Sequence, residues 1–109
     1  MSDQITFEDF KKVEIRIGKV IKCEKVENAD KLLKLTVNFG EFERQIVSGI
    51  AESFMPEELI GKSLPFIVNL EYRKFKGEES QGMLMAIDAE DKTVLLEPSA
   101  EVTEGTEVV

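Results

Sequence analysis

Residues 13–26 constrain the fold most, because their hydrophobic alternation changes phase at a glycine. Val13, Ile15 and Ile17 alternate with charged residues, which is the pattern of a β-strand with one buried face. Gly18 follows, and the apolar residues beyond it no longer keep the same parity, which indicates a bulge or a sharp bend. A long first strand that bends in this way can pair along both edges, as a small β-barrel requires.

Further strands are predicted wherever apolar and polar residues alternate between turn-forming residues. They cover residues 33–39, 43–49, 64–70, 82–87 and 93–97, with another short strand at 106–109. A short helix that begins at Pro56 and ends at Gly61 separates the third strand from the fourth. This order predicts an all-β chain folded as an OB-fold, a five-stranded barrel, with a C-terminal strand extension. SH3-like, double-psi and sandwich folds place a helix there less naturally.

The N-terminal residues predict one or two helical turns. Thr6 is a suitable N-cap, and Asp9 lies three residues later, at the capping-box position. Phe7 and Phe10 share one face of this helix, and we expect them to close one end of the core.

Composition excludes several function classes. The chain has 109 residues, which predicts a single domain over residues 1–109, and it has no histidine and one cysteine, Cys23. Zinc sites and nucleophile–histidine pairs are therefore excluded, and we expect no enzyme activity, no metal and no cofactor. A mechanism that uses carboxylates alone stays open as a third alternative, although no motif points to one. The apolar runs are too short to cross a bilayer, and the N-terminus has no signal-peptide pattern, so we expect a cytoplasmic protein without a membrane partner.

The net charge of −8 is confined to the last third of the chain. Residues 1–77 are neutral overall, whereas residues 78–109 hold nine acidic residues and one basic residue. Residues 11–34 hold eight basic and four acidic residues. A basic face that binds nucleic acid is therefore compatible with an acidic protein, although a solvated face of mixed charge would give the same count.

Two polar segments fall where OB-folds bind their ligands, in the loops after the first and fourth strands. These are residues 28–31 and 72–81, and Arg44 on the third strand would lie between them. Arg73 and Lys74 are suited to phosphate, Ser80 to phosphate or ribose, and Met83 to a base or sugar. Alternatively, the two cations only solubilise the loop, Ser80 satisfies loop backbone groups and Met83 belongs to the core. With one tyrosine and no tryptophan, the chemistry favours folded RNA over bare single strands.

Four ordered motifs carry a resemblance to a known family. They are Asn28-Ala29-Asp30-Lys31-Leu32, Arg44-x-Ile-Val-Ser-Gly-Ile50, Pro56-Glu57-Glu58-Leu59-x-Gly61-Lys62, and the stretch Asn69-Leu-x-x-Arg-Lys-x-x-Gly-x-x-Ser-Gln-Gly-Met83-Leu84. With them, the chain resembles the tRNA-binding domain family from about Phe7 to Val109. That family includes the C-terminal domain of bacterial methionyl-tRNA synthetases, the archaeal synthetase β-subunit and free-standing structure-specific tRNA-binding proteins.

The resemblance implies a non-catalytic OB-fold that recognises the outer surface of the L-shaped tRNA. It implies tRNA contacts at Asn28, Lys31, Arg44, Asn69, Arg73, Lys74, Ser80 and Met83. It also implies a homodimer, built from the N-terminal segment and the C-terminal strands, that acts alone or in trans to a methionyl-tRNA synthetase. The alternative is a peptide-binding, export-chaperone-like protein of the same fold. Those relatives differ at Asn-Ala-Asp-Lys and Ser-Gln-Gly-Met, so the tRNA branch is preferred.

Overall fold

The computed structural model describes residues 2–109, which form two short helices and nine strands in that range. The helices are α1 (Phe7–Phe10) and α2 (Pro56–Leu59). The strands are β1 (Ile15–Lys25), β2 (Leu33–Asn38), β3 (Glu43–Ser48), β4 (Ser63–Ile67), β5 (Arg73–Phe75), β6 (Glu78–Ser80), β7 (Met83–Leu84), β8 (Ala86–Asp88) and β9 (Thr93–Leu95).

Five of these strands form one antiparallel sheet in the order β3-β2-β1-β4-β7. The sheet curls into the nearly closed barrel of an OB-fold, so the predicted fold class is confirmed. The long first strand is confirmed as well, because residues 15–19 of β1 pair with β4 and residues 19–25 pair with β2. The register shift lies between Val20 and Lys22, a little beyond the expected glycine.

Gly18 allows close packing of the core rather than marking the register shift. A Cβ atom at this position would lie 2.4 Å from Cγ1 of Val37 and 2.6 Å from Cε1 of Phe39. A side chain there would therefore collide with two residues of the core.

The barrel interior is filled by the inward-facing side chains of the five strands. Phe39 packs edge-on against Phe66, with ring centroids 5.6 Å apart, and Leu59 of α2 is fully buried beside them. A single turn of helix between β3 and β4 thus contributes a core residue. Its N-terminus begins at Pro56, where the missing N–H is harmless.

The expectation that α1 closes the core is wrong. Its cap is as predicted, since the Asp9 N–H donates to Thr6 Oγ1 at 3.0 Å. However, Phe7 is 70% exposed and Phe10 is 48% exposed. The helix has only four residues and none of them is buried, so both aromatic rings lie on the outside of the barrel.

The predicted long loop between the fourth and fifth strands is in fact a hairpin of β5 and β6. Lys76 and Gly77 form its turn, with φ angles of 53° and 83°. Two consecutive positive φ values are typical of the type I′ turn, whose twist matches that of the flanking strands. The predicted strand at 82–87 is divided, because β7 stays with β4 whereas β8 leaves to pair with β9.

The C-terminal segment runs along the free edge of β1. Gly105 N–H donates to Ile17 O at 2.7 Å, Ile17 N–H donates to Thr106 O at 2.9 Å, and Val108 N–H donates to Ile15 O at 2.8 Å. The predicted strand at 106–109 is reduced to one bridge, between Arg16 and Glu107. The segment nevertheless covers the edge of β1 that β2 does not reach.

Candidate nucleic-acid interface

A groove of about 670 Å³ separates the turn after β1 from the tip of the β5–β6 hairpin. Its lining on one side is residues 28–32 and on the other side residues 74–76. The two polar segments that the sequence analysis singled out are therefore brought together by the barrel, although more than forty residues separate them. Asn28, Lys31 and Lys74 all line this groove.

Local backbone geometry explains both walls. Asn28 has a φ of 61°, a left-handed conformation that asparagine tolerates better than most residues, and it opens the turn. The opposite wall is the type I′ turn, which presents Lys76 at its first central position. Each wall is a turn between two paired strands, β1 and β2 on one side and β5 and β6 on the other.

The cations of this face have no acidic partner. No ion pair within residues 2–109 involves Lys31, Arg73, Lys74 or Lys76. All four side chains belong to exposed residues. Exposed, unpaired cations are suited to phosphate groups, which receive a large share of the hydrogen bonds between proteins and nucleic acids.

Lys34 behaves differently, because its ammonium lies 3.3 Å from both Glu24 and Glu78. The hydrogen bond to Glu78 is the main cause that raises the pKa of Lys34. Its charge is thus balanced inside the protein, and the pair with Glu78 ties the β6 strand to β2 of the barrel.

A second, smaller cleft of about 60 Å³ lies at the base of the hairpin. Arg73, Phe75, Ser80 and Met83 line it together with Leu70 and three further residues. The Arg73 guanidinium stacks over the Phe75 ring, 4.9 Å from its centroid, and Met83 is 45% exposed. The cleft therefore combines a cation with an apolar floor, as contact with a base or sugar requires.

Ser80 lies in this cleft but is only 4% exposed. Its hydroxyl accepts a hydrogen bond from Val47 N–H at 3.0 Å and donates one to Gly82 O at 2.9 Å. The structure therefore favours the alternative in which Ser80 satisfies backbone groups. Its predicted contact with RNA stays a prediction.

Arg44 and Asn69 lie outside both the groove and the cleft and act as internal ties. Arg44 Nη1 donates to Val68 O and to Gln81 O, each at 2.9 Å. The Asn69 side chain accepts from Glu14 N–H at 2.8 Å and donates to Lys12 O at 2.6 Å. This arrangement does not bring Arg44 or Asn69 into the groove, and their contacts with tRNA stay a prediction.

Arg44 keeps its charge near the interface all the same. Its guanidinium lies between two rings, 4.7 Å from the centroid of Phe42 and 5.7 Å from that of Tyr72. Tyr72 leads into β5 and is 50% exposed. The stack therefore supports the entry to the hairpin.

Sequence reasoning missed Lys76 and Phe75, which line the groove, and the glutamines Gln45 and Gln81 behind it. The signal for the first two was present. A Lys-Gly pair between two three-residue segments is a hairpin turn, and it would have placed both residues at the tip. Gln81 lies within the Ser-Gln-Gly-Met motif, but nothing in the sequence alone marks Gln45 or its pairing with Gln81.

Within residues 2–109, no group of three or more Asp, Glu, Cys or His side chains is arranged to hold a metal ion. Nor does that part of the chain contain a helix with the length and hydropathy for a membrane span.

An OB-fold barrel with unpaired cations on the loops after its first and fourth strands is typical of the nucleic-acid-binding class of OB-fold proteins. The comparison with families makes this specific, because residues 15–107 match the family described as "Putative tRNA binding domain". The chain belongs to the tRNA-binding domain family.

Similar proteins with known sequences are methionine–tRNA ligases. The enzyme of Archaeoglobus fulgidus is 51% identical over 106 residues, which is 97% of this chain. That of Porphyromonas gingivalis is 50% identical over 109 residues, or 99% of this chain. The chain spans only 16% of the length of either relative.

Two solved structures cover nearly the whole chain. A MetRS-related protein from Pyrococcus horikoshii superimposes with a TM-score of 0.93 at 44% identity, covering 99% of this chain and 100% of its own. The chaperone CsaA of Bacillus anthracis superimposes with a TM-score of 0.90 at 29% identity, covering 98% of this chain and 100% of its own.

Proposed function

We propose that this protein binds folded tRNA without catalysing a reaction on it. The observation that carries the proposal is the groove between residues 28–32 and 74–76, which collects unpaired cations on a barrel of the tRNA-binding domain family. Lys31, Arg73, Lys74 and Lys76 supply contacts to phosphates, and the cleft beside Met83 supplies an apolar contact to a base or sugar. Recognition of this kind depends on the shape of the backbone more than on base sequence.

The electrostatic part of the proposal predicts the salt dependence of binding. Four phosphate contacts per chain correspond to a log–log slope of affinity against salt concentration of roughly −2.8 to −3.6. Fluorescence anisotropy with a labelled tRNA transcript, measured between low and physiological salt, gives this slope directly. A flat response contradicts the proposal, and so does equal affinity for folded tRNA and for an unstructured RNA of the same length.

A matched pair of lysine variants assigns the groove. Lys74→Ala removes a groove cation, and we expect weaker binding of all tRNAs with a slope smaller by about one. Lys92→Ala removes one charge from the turn between β8 and β9, outside the groove, and controls for the change in net charge. Equal effects of the two variants would show that the groove is not the binding surface.

We further propose that the protein acts alone or in trans to a methionyl-tRNA synthetase, in the cytoplasm. The support is the 50% identity to a segment of methionine–tRNA ligases. A second tRNA-binding module held near the enzyme raises the enzyme's affinity for tRNA, because tRNA bound to one module is at a high effective concentration for the other. Aminoacylation by a synthetase that lacks such a segment, measured with and without this protein, tests the idea. An unchanged KM for tRNA would contradict action in trans.

The homodimer remains part of the proposal. It is supported by Ile5, Phe7, Phe10 and Val13, which are 68%, 70%, 48% and 39% exposed on the N-terminal segment. A second copy of the chain would cover this apolar surface. Light scattering at micromolar concentration should give twice the chain mass of 12.3 kDa, and Phe7→Ser should shift it to the monomer. A monomeric wild-type protein would overturn this part alone.

The second candidate function is peptide binding of an export-chaperone type. It is favoured by the likeness to the CsaA chaperone and by the apolar cleft at Leu70, Phe75 and Met83. A competition assay tests this function. An unfolded peptide that binds in this cleft should displace labelled tRNA, and the affinity for the peptide should depend little on salt concentration. Tight peptide binding with no measurable tRNA binding would favour peptide binding as the function of this protein.

A further inference from the structure

The β5–β6 hairpin is attached to the barrel through one strand only. β5, which carries Arg73 and Lys74, has no sheet partner other than β6 in the described part of the chain. A two-stranded hairpin has little stability by itself in water. The orientation of the β5 cations therefore depends on how β6 and the residue after it are held against β3.

Besides the Lys34–Glu78 ion pair and the Ser80 hydroxyl, two glutamine side chains make this attachment. The Gln81 N–H donates to Gln45 O at 2.8 Å, and in return the Gln45 N–H donates to Oε1 of Gln81 at 2.9 Å. The side chain of Gln81 thus takes the place of a backbone carbonyl on the strand opposite β3.

The side-chain nitrogen of each glutamine donates a hydrogen bond to Glu79 of β6. Gln45 Nε2 donates to Glu79 O at 2.8 Å, and Gln81 Nε2 donates to Glu79 Oε1 at 3.0 Å. Both glutamines are half-buried, so losing one partner leaves polar groups that water reaches only in part. Three residues are thereby locked into one arrangement on the side of the hairpin that faces the barrel.

We propose that Gln81, paired with Gln45, is a positioning residue for tRNA binding that sets the orientation of the β5–β6 hairpin and of its cation Arg73. The proposal rests on the proposed function and adds to it a residue that does not touch the RNA. Neither glutamine lines the groove or the cleft, so an effect on binding has to pass through the hairpin.

A double-mutant cycle on tRNA affinity tests the coupling. Gln81→Met keeps the length of the side chain and removes its amide. We expect Gln81→Met and Arg73→Ala each to weaken binding about tenfold, and the double variant to be little weaker than either, because a misplaced hairpin has already lost the Arg73 contact. Lys31→Ala is the control. It lies on the opposite wall of the groove, and its effect should add to that of Gln81→Met.

Hydrogen exchange supplies a readout that is independent of RNA. In Gln81→Met, the amides of residues 73–75 should exchange faster while those of β1 and β2 keep the wild-type rates. If Gln81→Met fails to fold, Gln45→Met is used, since it removes the side-chain donor to Glu79 O without adding a charge and keeps the Gln45 N–H bond to Gln81. It should show a smaller loss with the same coupling.

The outcomes separate this inference from the proposed function. Absence of tRNA binding by the wild-type protein refutes the proposed function. Wild-type binding with additive effects of Gln81→Met and Arg73→Ala overturns the inference alone, as does Gln81→Met at wild-type affinity. An Arg73→Ala variant at wild-type affinity also overturns it, because the hairpin then carries no contact to position.

Discussion

Replacing Ser80 with alanine distinguishes a residue that supports the interface from one that touches RNA. Ser80 is 4% exposed, and its hydroxyl accepts a hydrogen bond from Val47 N–H at 3.0 Å and donates one to Gly82 O at 2.9 Å. Alanine removes both and leaves the backbone N–H of the buried Val47 without its partner.

The magnitude follows from the cost of an unsatisfied buried donor, about 1–3 kcal/mol. The entropy of unfolding is about 2.1 cal/mol/K per residue, or roughly 0.23 kcal/mol/K for a chain of this length. A loss of about 2 kcal/mol therefore lowers the Tm by about 9 °C.

Circular dichroism during heating, together with urea denaturation, measures the change in the Tm and in the free energy of unfolding. Ser99→Ala, at an exposed serine of the C-terminal loop, is the matched control and should melt within about 2 °C of the wild type, since surface changes have small effects. A Ser80→Ala variant that melts at the wild-type temperature but binds tRNA less tightly would refute the reasoning, because its hydroxyl would then act on the RNA.

Three further predictions concern the barrel and the hairpin. Gly18→Ala places a Cβ atom 2.4 Å from the Val37 side chain, so overpacking should lower the free energy of unfolding by about 1–3 kcal/mol or more; a Tm equal to that of the wild type would contradict it. In Gly77→Ala the new Cβ atom meets no atom within 4 Å, but the residue has to adopt a φ of 83°, so the hairpin should lose about 1–2 kcal/mol of stability. Hydrogen exchange should show this as faster exchange of the hairpin amides. Burial raises the pKa of the Cys23 thiol to about 11, so the unfolded chain loses this proton first and stability should fall between about pH 9 and pH 11. Cys23→Ala should lack that part of the pH dependence, and rapid reaction of the native thiol with Ellman's reagent at pH 8 would show that the site is open.

The sequence determined the barrel through patterns that act locally. Alternation in residues 13–17 and 33–39, with turn residues between them, specifies which face of each strand is buried, and a strand has little freedom to bury the other face. The order of strands, helix and strands then leaves few ways to cover those faces. Three of the four unpaired cations, Lys31, Arg73 and Lys74, were also recognisable in the sequence, because a charged side chain in a polar loop is exposed whatever its distant neighbours are.

Only the tertiary structure decided which polar residues face outward and which hold the barrel together. Arg44, Asn69 and Ser80 are predicted from the sequence as contact residues, and only the structure shows that their hydrogen bonds go to backbone groups of other segments. Their contacts with RNA stay a prediction. Conversely, Phe7 and Phe10 look like core residues and lie exposed. The physical reason is the same in both cases, because a side chain's environment depends on partners brought near by folding, and neither its own chemistry nor its neighbours in sequence specify them.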